Sequence, residues 1–242
     1  MKKALKIVVL AKQVPDTRNV GKDAMTPEGT VNRAALPAIF NPEDLNALEM
    51  ALALKDETEG STVHILTMGP PRAADIIRDA MFRGADGGYL LTDRKFAGAD
   101  TLATSYALSC ALRKIRPDVI VAGRQAIDGD TAQVGPQVAE KLGWPQVTYA
   151  EELLEIKADS LIVKRRLEHG TEIVECPLPL VMTVNGSAPE CRPQNAKRVM
   201  KYKFAQTKSE IAAAPDCMAS AMASAKLAKS TVASRTRKIT IL

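Results

Sequence analysis

With 242 residues, 46% hydrophobic and 25% charged, the chain can bury a full core as one large domain or a domain with an appendage, and no apolar run is long enough to span a bilayer. The net charge of +5 is uneven: residues 1–189 carry 22 basic against 25 acidic side chains, whereas residues 190–242 carry 11 against 3. That pattern makes a basic arm; with only Tyr202 and Phe204 interleaved and no nucleic-acid motif, it argues against nucleic acid and for a protein partner with an acidic face.

Leu5-Lys6-Ile7-Val8-Val9-Leu10 fits a first core strand and is too short and too β-branched for an export segment. Asn41-Pro42-Glu43-Asp44 reads as a helix start: Asn41 as N-cap, Pro42 at the first helical position, acids in the first turn, with Leu45, Leu48 and Leu52 buried behind. Val63–Thr67 is a short strand ended by Met68-Gly69-Pro70-Pro71. Residues 72–83 read as a helix with Ile76, Ile77 and Ala80 on one face and Gly84 as a left-handed C-terminal cap. A strand at 89–92, a helix at 101–114 with apolar Leu102, Tyr106, Leu108 and Leu112, a strand at 118–122 and a helix at 131–142 follow. His64 within its strand and His169 in an expected hairpin read as structural. Cys110, Cys176, Cys191 and Cys217 form no CxxC pair and no metal-ligand spacing, so reduced thiols in a cytoplasm, and no metal site, are expected.

Alternating strands and helices with short connections predict an α/β fold: a doubly wound, mostly parallel sheet of the Rossmann-like, adenine-nucleotide-binding kind over residues 1–189. Residues 153–167 and 171–184 read as four further strands forming an antiparallel patch. From Asn185-Gly186-Ser187-Ala188-Pro189 periodicity is lost, and 190–242 reads as a C-terminal arm that orders against a partner. In such sheets ligands bind at the carboxyl ends of the strands, which here carry the loops after Leu10, Thr67, Thr92 and Ala122.

The segment Val119–Pro136 carries the most chemistry: a buried strand, a turn with Gly123, Arg124, Gln125, Asp128, Gly129, Asp130 and Thr131, and a helix start. Backbone N–H groups at a helix N-terminus hold phosphate. Asp128 and Asp130 repel a bare phosphate but can take ribose hydroxyls, backbone N–H groups or the adenine edge, so the segment reads as an adenine-nucleotide site. A purely structural turn capped by aspartate offers the same pattern. No side chain presents itself as an acid–base catalyst.

Val8-Val9-Leu10-Ala11-Lys12-Gln13-Val14-Pro15-Asp16, Asn41–Asp44 with Ala47-Leu48-Glu49, Met68-Gly69-Pro70, Arg83-Gly84-Ala85-Asp86 and Gly123–Gly135 running into Leu142-Gly143-Trp144-Pro145-Gln146 together resemble the small (beta) subunit of electron transfer flavoproteins, to about residue 204. The resemblance implies pairing with a large (alpha) subunit that carries the electron-transferring FAD, and a second adenine nucleotide in the small subunit. That nucleotide is a structural AMP in conventional carriers and a second FAD in flavin-based bifurcating members. Asp93–Ser105 resembles the bifurcating group and offers a glycine-containing loop, Thr hydroxyls at a helix N-terminus and nearby Arg94, the grip a diphosphate needs. Carried over by position, Leu10, Asn41, Asp44, Met68, Gly69 and the turn from Gly123 through Ala132, Gln133 and Val134 meet the adenosine part, and Thr101 and Thr104 the pyrophosphate of FAD.

The resemblance therefore implies an FAD-holding subunit that takes electrons from NADH and splits them between a low-potential acceptor such as ferredoxin and the large-subunit FAD, active only within a complex. The alternative is a conventional beta subunit with AMP, serving a flavin dehydrogenase through the large-subunit FAD. One departure stands out. Many members carry a leucine before a lysine-rich segment to anchor an acyl-CoA dehydrogenase, whereas Cys191–Lys203 has none and Arg192-Pro193 stands there, which implies a different redox partner.

Overall fold

The computed structural model describes residues 3–16, 37–207, 210 and 239–241. In chain order the elements are β1 (Lys6–Leu10), β2 (Gln13–Pro15), β3 (Ala38–Phe40), α1 (Pro42–Asp56), β4 (Thr62–Met68), α2 (Ala74–Arg83), β5 (Gly87–Leu91), α3 (Thr101–Ile115), β6 (Val119–Gly123), α4 (Val134–Leu142), β7 (Gln146–Ile156), β8 (Ser160–Leu167), β9 (Gly170–Pro177), β10 (Leu180–Val184), α5 (Ala196–Tyr202) and β11 (Ile239–Ile241). The main sheet runs β11-β5-β4-β1-β6-β10-β7-β8-β9, and β2 and β3 form a separate antiparallel ribbon.

Strand β1 explains the layering. Its side chains alternate across the sheet, as a period of two requires. Ile7 and Val9 join the core under α1 and α2 with Leu48, Leu52 and Ile77. Val8 and Leu10 join the second core under α3 and α4 with Leu108, Leu112 and Val138. The sheet is thus covered on both faces, which is why β1 and β6 read as unbroken apolar runs and not as alternating ones. The doubly wound parallel expectation holds: β1 pairs in parallel with both β4 and β6, β4 with β5, and β6 with β10.

The strands past Trp144 differ from expectation. Strand β10 belongs to no antiparallel patch; it inserts between β6 and β7 and is parallel to both. All five of its residues are buried, and such a run is stable only where both faces are covered. The antiparallel part is β7–β8–β9, continuous with the main sheet. Its outer strands expose much of one face, leaving Ile173 65% accessible.

Several helix details also changed. Helix α4 begins at Val134, three residues after the expected 131, because Asp130 (φ 46) and Ala132 (φ 52) take left-handed backbone. Gly84 ends α2 with φ 148, outside the left-handed helical basin expected of it. Within α3, Leu108 and Leu112 are buried, but Leu102 and Tyr106 face outward, with the Lys141 ammonium 5.6 Å from the Tyr106 ring centroid. In α1, Leu48 and Leu52 are buried, Leu45 partly so.

Residues 191–207 fold back on the domain. Arg192 donates to both carboxylate oxygens of Glu49, from Nε at 3.0–3.1 Å and Nη2 at 2.8 Å, and from Nη1 to Asp56 at 2.8 Å. The Asn195 amide donates to the Phe82 carbonyl at 2.9 Å, and Tyr202 and Ala205 are buried. Cys217 and most of the arm beyond 210 lie outside the described residues. Among the described residues, no helix is long and apolar enough to cross a membrane.

Candidate functional site: a cleft where strand order reverses

Strand β1 lies between β4 and β6, so the chain leaves it to one side and returns on the other. The loops after β1 and β6 therefore diverge and leave a crevice at the carboxyl edge of the sheet. The cleft there measures ≈ 430 Å³. This lies within the range of small-molecule sites.

Of the residues singled out from sequence, Leu10, Asp44, Met68, Thr101, Thr104, Gly123, Arg124, Gln125, Gly129, Asp130, Thr131, Ala132, Gln133 and Val134 line this cleft. Gly69 and Asp128 line a smaller neighbouring crevice of ≈ 180 Å³ that shares Lys12 and Met68 with it. Asn41, wholly buried, sits behind the turn. Phe96 and Gly98 also line the cleft, while Arg94 is not among its lining residues. Sequence reading missed Lys12, Leu66 and Leu108, which also line it. Leu66 and Leu108 were legible only as core, and Lys12 only as the residue after a strand.

The segment Asn41–Asp44 shapes the turn from behind. Asn41 caps α1 by position, but its side chain makes no capping bond to the α1 backbone. Its amide instead donates to the Gln125 carbonyl at 2.9 Å and accepts from the Ile127 N–H at 3.2 Å. Glu43 accepts from the Arg124 guanidinium at 2.9 Å and from the Gln125 N–H at 3.0 Å. Asp44 accepts from the Lys12 N–H at 2.8 Å and from the Gly123 N–H at 3.0 Å. Four consecutive residues thus hold residues 123–127 through three side chains. Gly123 is required for this approach: a Cβ there would lie 2.4 Å from Asp44 Oδ1 and 2.8 Å from the Asp44 nitrogen.

Burial without a bonded cation pushes the Asp44 carboxyl up to about 7, with the Lys12, Asn41 and Gly123 donors pulling the other way and Glu43 adding a like-charge push. The neighbouring cations are committed elsewhere: the Lys12 ammonium meets Asp128 at 2.7 Å and Arg124 meets Glu43. In the turn itself, Gln125 Nε2 donates to Asp130 at 2.9 Å.

Two helix N-termini open onto the cleft, α3 at Thr101 and α4 at Val134. They are tied together by the Thr101 hydroxyl, which donates to Gln133 Oε1 at 2.8 Å. Asp100 caps α3 by accepting from the Ala103 N–H at 2.7 Å. A helix N-terminus presents backbone donors and the positive end of the dipole, so the pair can hold two linked phosphates. Leu10, Leu66, Leu108 and Ala122 supply an apolar floor. Donors, acceptors and apolar surface are what a nucleotide needs. His64 lies in β4 with its ring 5.7 Å from Tyr89, His169 lies in the β8–β9 turn, and neither lines the cleft. Among the described residues, no group of three or more His, Cys, Asp or Glu is placed to hold a metal ion.

Comparison with known proteins places this architecture. The electron transfer flavoprotein domain model matches residues 28–209. The chain is 50% identical over 180 residues to the caffeyl-CoA reductase–Etf complex subunit CarD of Acetobacterium woodii, spanning 74% of this chain and 68% of that one. It is 50% identical over 179 residues to the electron transfer flavoprotein subunit beta of Clostridium acetobutylicum, with the same coverage of 74% and 68%. It is 51% identical over 182 residues to the acryloyl-CoA reductase electron transfer subunit gamma of Anaerotignum propionicum, covering 74% and 67%.

Proposed function

Because the chain belongs to the electron transfer flavoprotein family as a beta subunit, with a role in electron transfer, we propose that its cleft holds FAD and that it works in the bifurcating manner beside a large subunit. The observation that carries this reading is the pairing of two helix N-termini through Thr101 and Gln133. One phosphate needs one such terminus; the diphosphate of FAD engages both. Relatives named as subunits of a caffeyl-CoA reductase–Etf complex and of acryloyl-CoA reductase support it.

The fit is specific to the residues present. Gln125, Asp130 and Thr131 line the cleft where they would hold the adenosine half, the Asp130 carboxylate being able to accept from ribose hydroxyls. Thr101 and Thr104 line the cleft at the start of α3, where they would hold the diphosphate. Leu10, Leu66 and Leu108 would keep water from beneath it. When bound, that FAD supplies the oxidation of NADH and the delivery of the two electrons one at a time, to a low-potential acceptor such as ferredoxin and to the large-subunit FAD. The protein holds and orients it. Residues 191–207 of the basic arm lie on this domain and β11 pairs with β5, so the stretch between residues 210 and 239 is proposed to reach the large subunit, and the complex to reside in the cytoplasm.

The test is release of nucleotides from the purified two-subunit complex and their chromatographic quantification. Two FAD per heterodimer supports the reading; one FAD with one AMP makes this chain the structural half of a conventional carrier.

A further inference from the structure

Lys12 follows the end of β1, Gly123 ends β6, and one carboxylate bridges them. Asp44 is 6% exposed and uses Oδ2 for the Lys12 amide and Oδ1 for the Gly123 amide, at 2.8 and 3.0 Å. These are the two strand ends whose divergence creates the cleft. Resting on the reading of that cleft as a nucleotide site, we infer that Asp44 is a positioning residue: its ionised carboxylate holds the Lys12 and Gly123 amides together and sets the gap that the adenosine half enters, so protonating it weakens nucleotide binding.

The chemistry follows from donor counting. An ionised carboxylate is acceptor-only and satisfies both amides and the Asn41 side-chain donor; the protonated acid carries a hydroxyl that needs an acceptor where donors already point. The amide facing that hydroxyl loses a charge-assisted bond inside a buried site, and the contact between β1, β6 and α1 loosens. The surroundings place this change near neutral pH. On its own helix Glu43 is a like charge, itself held by Arg124 and the Gln125 amide. From the β1 side the Lys12 ammonium is turned away to Asp128 at 2.7 Å. From β7, Glu151 is taken by Arg166 at 2.9 Å and by Ser187. Strands β4 and β10 join the core beneath α1 through apolar Ile65, Met182 and Val184. Burial therefore dominates, and the carboxyl titrates at about 7.

If only the ionised form is competent, the competent fraction rises about tenfold between roughly pH 6 and 8, and apparent affinity rises with it. The experiment measures dissociation constants of FAD and of adenosine for the full chain, stripped of nucleotide, across that range. AMP is unsuitable because its phosphate titrates at a pKa of about 6. Wild type is expected to bind both probes about tenfold more tightly at the upper end. Asp44→Asn keeps the shape but places a second donor against an amide; it is expected to bind weakly and without slope. Glu140→Gln, which removes an exposed carboxylate of α4 outside the cleft, is expected to keep the slope. A flat wild-type profile, a slope that survives in Asp44→Asn, or one lost in Glu140→Gln overturns the inference. Adenosine binding with the expected slope but no binding of FAD supports the clamp and overturns the FAD reading instead.

Discussion

Gly123→Ala tests the geometry behind the site most directly. The added Cβ would lie 2.4 Å from Asp44 Oδ1 and 2.8 Å from both the Asp44 nitrogen and the Glu43 carbonyl carbon. Two of these atoms are backbone, so no side-chain rotation relieves the clash. The α1 backbone must retreat by about 0.2 Å, and Asp44 Oδ1 by about 0.6 Å, to reach even a 3.0 Å contact. Overpacking of this kind costs about 1–3 kcal/mol. The retreat also stretches the Gly123 N–H bond to Asp44, a contact to a charged acceptor worth about 1.5–3 kcal/mol when intact. A combined loss of about 3 kcal/mol lowers the melting temperature of a chain this size by about 6–12 °C. Gly129→Ala is the internal control, since nothing lies within 4 Å of its added Cβ. It is expected to change stability by less than about 0.5 kcal/mol. Thermal and urea unfolding followed by circular dichroism reads both. Equal melting of the two variants would refute the close α1–β6 approach on which the site is built.

Thr101→Val removes the hydroxyl that links α3 to Gln133 and is expected to weaken FAD about tenfold while leaving adenosine binding within twofold, as calorimetry would show. Asn41→Ala strands the Ile127 N–H and the Gln125 carbonyl; a loss of about 2 kcal/mol and faster release of bound nucleotide are expected, and unchanged release in stopped-flow displacement would contradict the scaffold role. Burial works to raise the Glu49 carboxyl, yet the Arg192 bonds hold it below its ordinary 4.5. The folded chain thus binds that proton more weakly than the unfolded one, so the pair stabilises above about pH 4.5 and fades as pH falls below it. Arg192→Ala is expected to cost about 1–2 kcal/mol at neutral pH and to flatten this acid limb, read as unfolding midpoints across pH. Deleting residues 211–242 strips edge strand β11 from β5 but is expected to leave the rest of the domain folded, because Arg192, Tyr202 and Ala205 anchor the segment before it, while weakening association with the large subunit in gel filtration.

The elements legible in the sequence were those with strong local causes. Ile7–Leu10 and Val119–Ala122 could only be strands covered on both faces, and Asn41-Pro42 could only open a helix. The Gly123–Val134 turn stood out as a candidate site because it concentrates glycines, carboxylates and hydroxyls. Misreadings arose where a residue's local preference is served equally by a distant partner. Asn41 fits an N-cap, yet its amide bonds to residues more than eighty positions away. Leu102 and Tyr106 fit a buried helical face, yet the sheet lies on the other side of α3. Strand β10 has the length and composition of a hairpin strand, and only the vacancy between β6 and β7 decides its direction.

By itself, then, the sequence determined the alternation of elements and pointed to the carboxyl edge and to most of the residues that line the cleft there, because periodicity and turn chemistry are encoded within a few residues. Tertiary structure alone decided that Asp44 faces two amides and no cation, that Lys12 turns to Asp128, and that Arg192 closes onto Glu49 and Asp56. Hydrogen bonds and burial between residues far apart in the chain depend on which elements become neighbours, and that follows only once the sheet order is fixed.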